Sequence, residues 1–138
     1  MADITVTAAK VKPIPEGLID IRSYIAAETI TTGQAVYFLT TGKVGVADAN
    51  AAGKQQFRGI ALNGGGAGSA ISVLHSGDVE GFTLTGNADS LVYLSDTAGF
   101  LSDSAGTMTV VAGRVVCRSD NDLTKVLRVD TRWLVTWA

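Results

Sequence analysis

Apolar residues recur along this chain in short runs with a period of two, broken by Gly, Asn and Asp. Residues 35–48, AVYFLTTGKVGVAD, set apolar positions on either side of a Thr-Gly turn, which predicts a β-hairpin. LVYLSDTAGFLSD at 91–103 places the same Val-Tyr pair ahead of another Gly turn. Residues 57–62, 70–77, 79–86, 108–118 and 123–129 read as further strands. Residues 19–25 alternate as well, with Ile19, Ile21 and Ser23 on one side and Asp20, Arg22 and Tyr24 on the other. The one Ala-rich stretch, 47–53, contains Asn50 and Gly53, which restrict any helix there to a turn. About ten short runs without a long helical period predict an all-β sandwich or barrel.

The two Val-Tyr hairpins belong to a longer correspondence. Val36 and Tyr37 align with Val92 and Tyr93 at an offset of 56, Gly42 with Gly99 at 57, and Gly59–Leu62 with Gly113–Val116 at 54. Ile71–His75 then meets Lys125–Val129, again at 54. Ordered anchors at nearly constant spacing predict two copies of one β-unit, with halves at about 30–77 and 86–130, since a unit of this size buries its apolar face best against a second. The alternative is that β-rich chains reuse Val, Tyr and Gly by chance.

Ahead of this body the pattern changes. Ile4 and Val6 oppose Thr5 and Thr7, and Pro13 and Pro15, which lack an N–H, then interrupt. This divides the chain into an extended amino-terminal arm, residues 1–17, separable from a β-rich body, residues 18–138. An extended segment with alternating apolar residues can add a strand to the edge of a neighbour's sheet, and Asp3, Ile4, Thr5, Val6, Thr7 and Val11 are the candidate contact residues. At the other end Trp133, Val135 and Trp137 share one side of a strand; Trp133 and Trp137 either close the domain's own core or make oligomer contacts.

The chain has 138 residues, enough for one core. Charged residues are only 17% and the formal net charge is −2, so there is no excess of cations to displace counterions from phosphates, which argues against a nucleic-acid partner. No apolar run approaches the ~20 residues that span a bilayer, and MADITVTAAK has no basic region followed by an apolar stretch; neither signal-directed export nor a membrane partner is expected. A single cysteine, Cys117, excludes an intrachain disulfide, and by alternation with Val111, Gly113 and Val115 it is expected in the core.

Little in the sequence carries catalytic chemistry. NGGGAGS at 63–69 lacks the Lys-Ser/Thr ending of a phosphate loop and precedes a strand rather than a helix, so a wide turn is expected. His75, the only histidine, shares a side with Ile71 and Val73 and is expected to be partly buried or at a strand end. The carboxylates fall mostly in turns; SDND at 119–122 is the densest group but lacks the Gly and closing Glu of a calcium loop. No catalytic residue, cofactor or metal is assigned, and the chain is expected not to be an enzyme.

Four stretches, MADITVTAAKV, ETITTGQAVYFLTTGKVGVADAN, FRGIALNGGGAGSAISVLHSGDVEGFT and LVYLSDTAGFLS, together resemble the small head-decoration, or capsid cement, proteins of tailed bacteriophages. The likeness rests on the order of Gly-Gln-Ala-Val-Tyr, Gly-Lys-Val, Ala-Asp-Ala, Gly-Ile-Ala-Leu, a small-residue turn and Ser-Gly-Asp-Val. Residues 13–25 and the Trp-containing tail are peculiar to this chain. The resemblance implies a compact β-sandwich or barrel-like domain of the β-tulip type, attached to the major capsid protein on the outer surface of the virion head, as a homotrimer, through its amino-terminal arm. It also implies synthesis in the cytoplasm of the host bacterium. The alternative reading of the residues alone is a non-enzymatic tail or surface β-domain that binds host-surface glycans on Tyr and Trp platforms.

Overall fold

A computed structural model describes residues 3–14, 19–118 and 121–131. They form twelve strands and one 3-10 turn, with no α-helix among the described residues. The strands are β1 (Thr5–Val6), β2 (Lys12–Ile14), β3 (Asp20–Ile25), β4 (Ala35–Phe38), β5 (Val44–Val46), β6 (Gly59–Ala61), β7 (Ala70–Glu80), β8 (Phe82–Thr83), β9 (Leu91–Leu94), β10 (Leu101–Ser102), β11 (Val111–Arg118) and β12 (Asn121–Asp130). All pairings between these strands are antiparallel; for β4–β5, β6–β7, β9–β10 and β11–β12, which follow one another in the chain, the connections between them require it.

The main sheet runs β10-β9-β11-β12-β7-β6-β4-β5, so it reads alike from either end. The registers repeat as well. Val36 faces Gly59 as Val92 faces Gly113; Ile60 faces Leu74 as Arg114 faces Arg128; Tyr37 faces Gly45 as Tyr93 faces Ser102. Each of these pairs keeps the offsets read from the sequence. The turns before β4 and β9 match bond for bond: Gly33 N–H donates to the Ala61 carbonyl and Asp89 N–H to that of Val115, while Ala61 N–H donates to Gln34 and Val115 N–H to Ser90. Gly33 and Asp89 both have positive φ, 92° and 72°, a conformation that glycine adopts without strain and Asp tolerates better than most residues. The chain therefore contains two copies of one four-stranded unit.

The long strand β7 joins them. Its Leu74 pairs with Ile60 on one edge and Ile21 on the other, and its Val79 with Leu127 and Pro13, so β6 and β12 share one edge while β3 and β2 share the opposite edge. The first half curls until β5 meets the end of β3, where Ala27 N–H donates to Val44 O at 2.8 Å. Ala26, Ile30, Val36, Val44, Ala61, Ile71 and Val73 pack together inside. A larger core, centred on Phe57, Leu74, Leu94, Leu101, Val115 and Leu127, fills the second half and the junction.

Candidate functional site

The amino-terminal segment is where the structure departs most from the sequence reading. Residues 3–14 do not project as a separable arm but are stitched to the body of their own chain. Asp3 faces Ser102 and accepts a hydrogen bond from the Ser95 hydroxyl, and Ile4 N–H donates to Leu101 O at 2.8 Å. Thr5 and Val6 pair with Thr83 and Phe82, Thr7 N–H donates to Gly81 O at 2.8 Å, and Lys12–Ile14 pair along β7. The Ile4–Leu101 and Ala27–Val44 bonds use matched acceptors, but the chain runs antiparallel at Asp3–Ser102 and parallel at Ala26–Val44; residues 3–6 bridge β10 to β8 in the second half. The cause is plain: without this segment β10 and β8 would leave unpaired backbone beside an apolar interior. Ile4, Val11 and Ile14 are buried, each contributing about 1.5–3 kcal/mol by area removed from water. Pro13 fits because β2 lies outermost beside β7 among the described residues. Asp3, Thr5 and Thr7–Lys10 face solvent, so of the candidate contact residues Asp3, Thr5 and Thr7 are presented outward while Ile4 and Val11 are turned in and Val6 is half-buried.

On β3 the faces are the reverse of the apolar pattern. Ile21 and Ile25 are 40% and 44% exposed, and Tyr24 turns inward against Phe38, with ring centroids 4.7 Å apart. Tyr24 is held by His75, Oη to Nε2 at 2.6 Å, and His75 Nδ1 lies 2.5 Å from Arg58 O. A carbonyl oxygen only accepts, so Nδ1 carries the proton and Nε2 accepts from the Tyr24 hydroxyl. His75 is buried, as the alternation suggested in part, and Thr131 Oγ1 donates to its carbonyl at 2.7 Å. Burial pulls the His75 imidazole below its ordinary value of 6.5 and pushes the Tyr24 phenol up; around the histidine, the hydrogen bond to the Arg58 carbonyl and the charge of Asp20 favour protonation, while the charges of Arg22 and Arg58 oppose it.

That arrangement fixes a pH dependence. With its folded-state value depressed, His75 leaves the folded chain holding fewer protons than the unfolded chain below pH 6.5, so its contribution to stability is present above that value and is lost as pH falls through the folded value. The urea midpoint is expected to fall between pH 7.5 and pH 5, and to fall less in His75→Gln; equal pH dependence in both proteins would refute the assignment.

Other sequence expectations fare variously. Cys117 is exposed rather than in the core, because the β11–β12 hairpin runs past the last residue that β7 pairs, Leu127, and its outer end has no covering layer among the described residues. The 63–69 stretch is a turn between β6 and β7 that folds back on Ile30, with Ile30 and Gly65 exchanging N–H···O bonds. Trp133, Trp137 and Ser119–Asp120 of the SDND turn lie outside the described residues. Tyr37 is buried and Tyr24 is engaged by His75, so neither offers an open face; the exposed large apolar side chains among the described residues are Ile21, Ile25 and Phe100. Among the described residues no group of three or more His, Cys, Asp or Glu is placed to hold a metal ion, and no helix is long and apolar enough to cross a membrane. The exposed Arg128–Asp78 pair, at 2.8 and 3.2 Å, ties β12 to β7 at the join of the halves. Comparison of the chain with protein-family models, with curated proteins and with solved structures gives no match.

Proposed function

We propose that this chain is a structural subunit that binds the outer surface of a bacteriophage capsid, as a homotrimer, and stabilises the shell by bridging capsomers. The observation that carries the reading is the ordered series of short matches to the head-decoration proteins. In the fold these fall on the turn before β4, the β4–β5 hairpin, β6, the small-residue turn and β7, that is, on the framework of the first half. The docked amino-terminal segment alters how attachment works. Contact with the major capsid protein is made by the outward face at Asp3, Thr5 and Thr7, supported by the body, rather than by a free tail. A trimer presents that face three times, so modest contacts engage at raised effective concentration. On this reading the protein is made in the bacterial cytoplasm and resides on the virion surface.

The test is co-sedimentation of the purified full-length chain with undecorated heads, followed by heating. Bound protein is expected to raise the disruption temperature of the shell by mass action, and Thr5→Asp/Thr7→Asp, which leaves the buried positions intact, to abolish both effects. No pelleting and no shift at saturating protein would remove the proposal.

A further inference from the structure

The pairing of β6 with β7 is finished by a side chain. Leu62 N–H donates to Ser72 O at 2.8 Å, and there the main chain turns away from β7. Asn63 carries the pairing on: its Oδ1 accepts from Ser72 N–H at 2.6 Å and its Nδ2 donates to Ala70 O at 3.0 Å. A backbone N–H only donates and a backbone carbonyl only accepts, so these partners fix which end of the carboxamide is which. The side chain does for β7 what one more peptide group of β6 would have done. Gly64 and Gly65 are thereby freed to turn towards Ile30, with which Gly65 exchanges bonds of 2.8 and 2.9 Å. Gly64 passes so near this neighbour that an added Cβ would lie 3.0 Å from the Ile30 carbonyl oxygen, which favours Gly after Asn63. At the matched place in the second half, Cys117 faces Lys125 through the main chain of β11, without such a substitute.

Asn followed by Gly is the sequence most prone to loss of a side-chain amide, because no side chain hinders the Gly nitrogen; Asn50, Asn87 and Asn121 precede Ala, Ala and Asp instead. The loss requires Gly64 N to reach Asn63 Cγ, and a carboxamide bonded at both ends to β7 is held from that approach. We propose that Asn63 is a site of irreversible self-modification, gated by opening of the β6–β7 end and its latch on Ile30. In the step, a bond forms between Gly64 N and Asn63 Cγ, the Cγ–Nδ2 bond breaks, and the Gly64 proton departs with the amide nitrogen as ammonia. Water then opens the cyclic imide at either carbonyl, leaving Asp or isoaspartate at position 63. Either product disfavours re-closure. A carboxylate has no donor for the Ala70 carbonyl, and isoaspartate adds a methylene to the main chain ahead of Gly64, which takes Gly65 out of register with Ile30. Ile30, 1% exposed among Val36, Ala61 and Ile71, then loses the pair of bonds that latches it over the first core. An opening is thereby recorded in the covalent structure. The inference stands apart from the capsid-binding role.

The test follows Asp and isoaspartate at position 63 by peptide mapping of the full-length chain held at mildly alkaline pH. Formation is expected to be at least about tenfold slower in the folded chain than in the same chain unfolded in urea, as for a reaction that proceeds through a sparsely populated open form. Ile30→Ala leaves Asn63 and Gly64 intact and removes the buried anchor of the latch, so it is expected to speed the reaction in native buffer. Sub-denaturing urea is expected to do the same to the unaltered chain, which keeps the test decisive if that variant fails to fold. Aged protein modified at position 63, separated by its added negative charge, and Asn63→Asp are expected to unfold at lower urea than the fresh chain. Equal rates in the folded and unfolded chain, a native rate indifferent to the loosening, or an unchanged urea midpoint in the modified protein would each overturn the inference.

Discussion

Removing residues 1–10 is expected to lower the stability of the whole chain by about 3–5 kcal/mol, from the lost burial of Ile4 and Val6 and the lost bonds to Leu101, Thr83 and Gly81. The chain should still express, but with a urea midpoint shifted by one molar or more at the usual slope of about 1–3 kcal/mol per molar. Ile4→Ala separates packing from pairing: it keeps the backbone bonds and should cost about 2–4 kcal/mol alone. A truncated protein with an unchanged midpoint would mean that the segment is a projecting arm after all, free to reach a neighbour. The same result bears on the capsid experiment, because loss of decoration after truncation is informative only if the body remains folded. Outward-facing substitutions at Thr5 and Thr7 avoid that ambiguity.

The second large effect is expected where strands cross most closely. At Gly113 an added Cβ would run into the carbonyl oxygen of Arg128, and at the matched Gly59 into that of Leu74. Neither obstacle is the tip of a flexible side chain; each is backbone fixed by the sheet. Gly113→Ala and Gly59→Ala should therefore each cost about 2–4 kcal/mol through forced separation of paired strands. Gly42 supplies the control: like Gly59 it has positive φ, 87°, but nothing lies near an added Cβ, so Gly42→Ala should cost only about 1 kcal/mol. Urea titrations of the three variants decide the matter, and similar small losses at all three would show the crossings to be looser than described.

Strand positions, both hairpins and the internal repeat could be read from the chain because they depend on local signals: alternation, Gly turns and the spacing of matched anchors. The paired Gly59 and Gly113 were visible as anchors, but their reason, a backbone carbonyl beneath each, lies in another strand. Three features were illegible because they are decided across the fold. Whether residues 3–14 project or dock depends on open edges at β10 and β8, about eighty to a hundred residues away. Tyr24 turns inward because His75, on β7, offers it an acceptor, and Ile21 and Ile25 are thereby turned out. Cys117 follows the alternation of its strand, yet alternation does not say where the covering layer ends.

The Ile4–Leu101 bond has a kinetic consequence. It joins positions nearly a hundred residues apart, so during synthesis the leading strand emerges first and its acceptor roughly 5–20 s later, at ordinary elongation rates. Throughout that interval an edge-seeking strand has no place to go within its own molecule, and closure of so long a loop comes late in refolding as well. Crowded nascent chains can satisfy it mutually, which makes the yield of correctly closed monomer fall as expression rises.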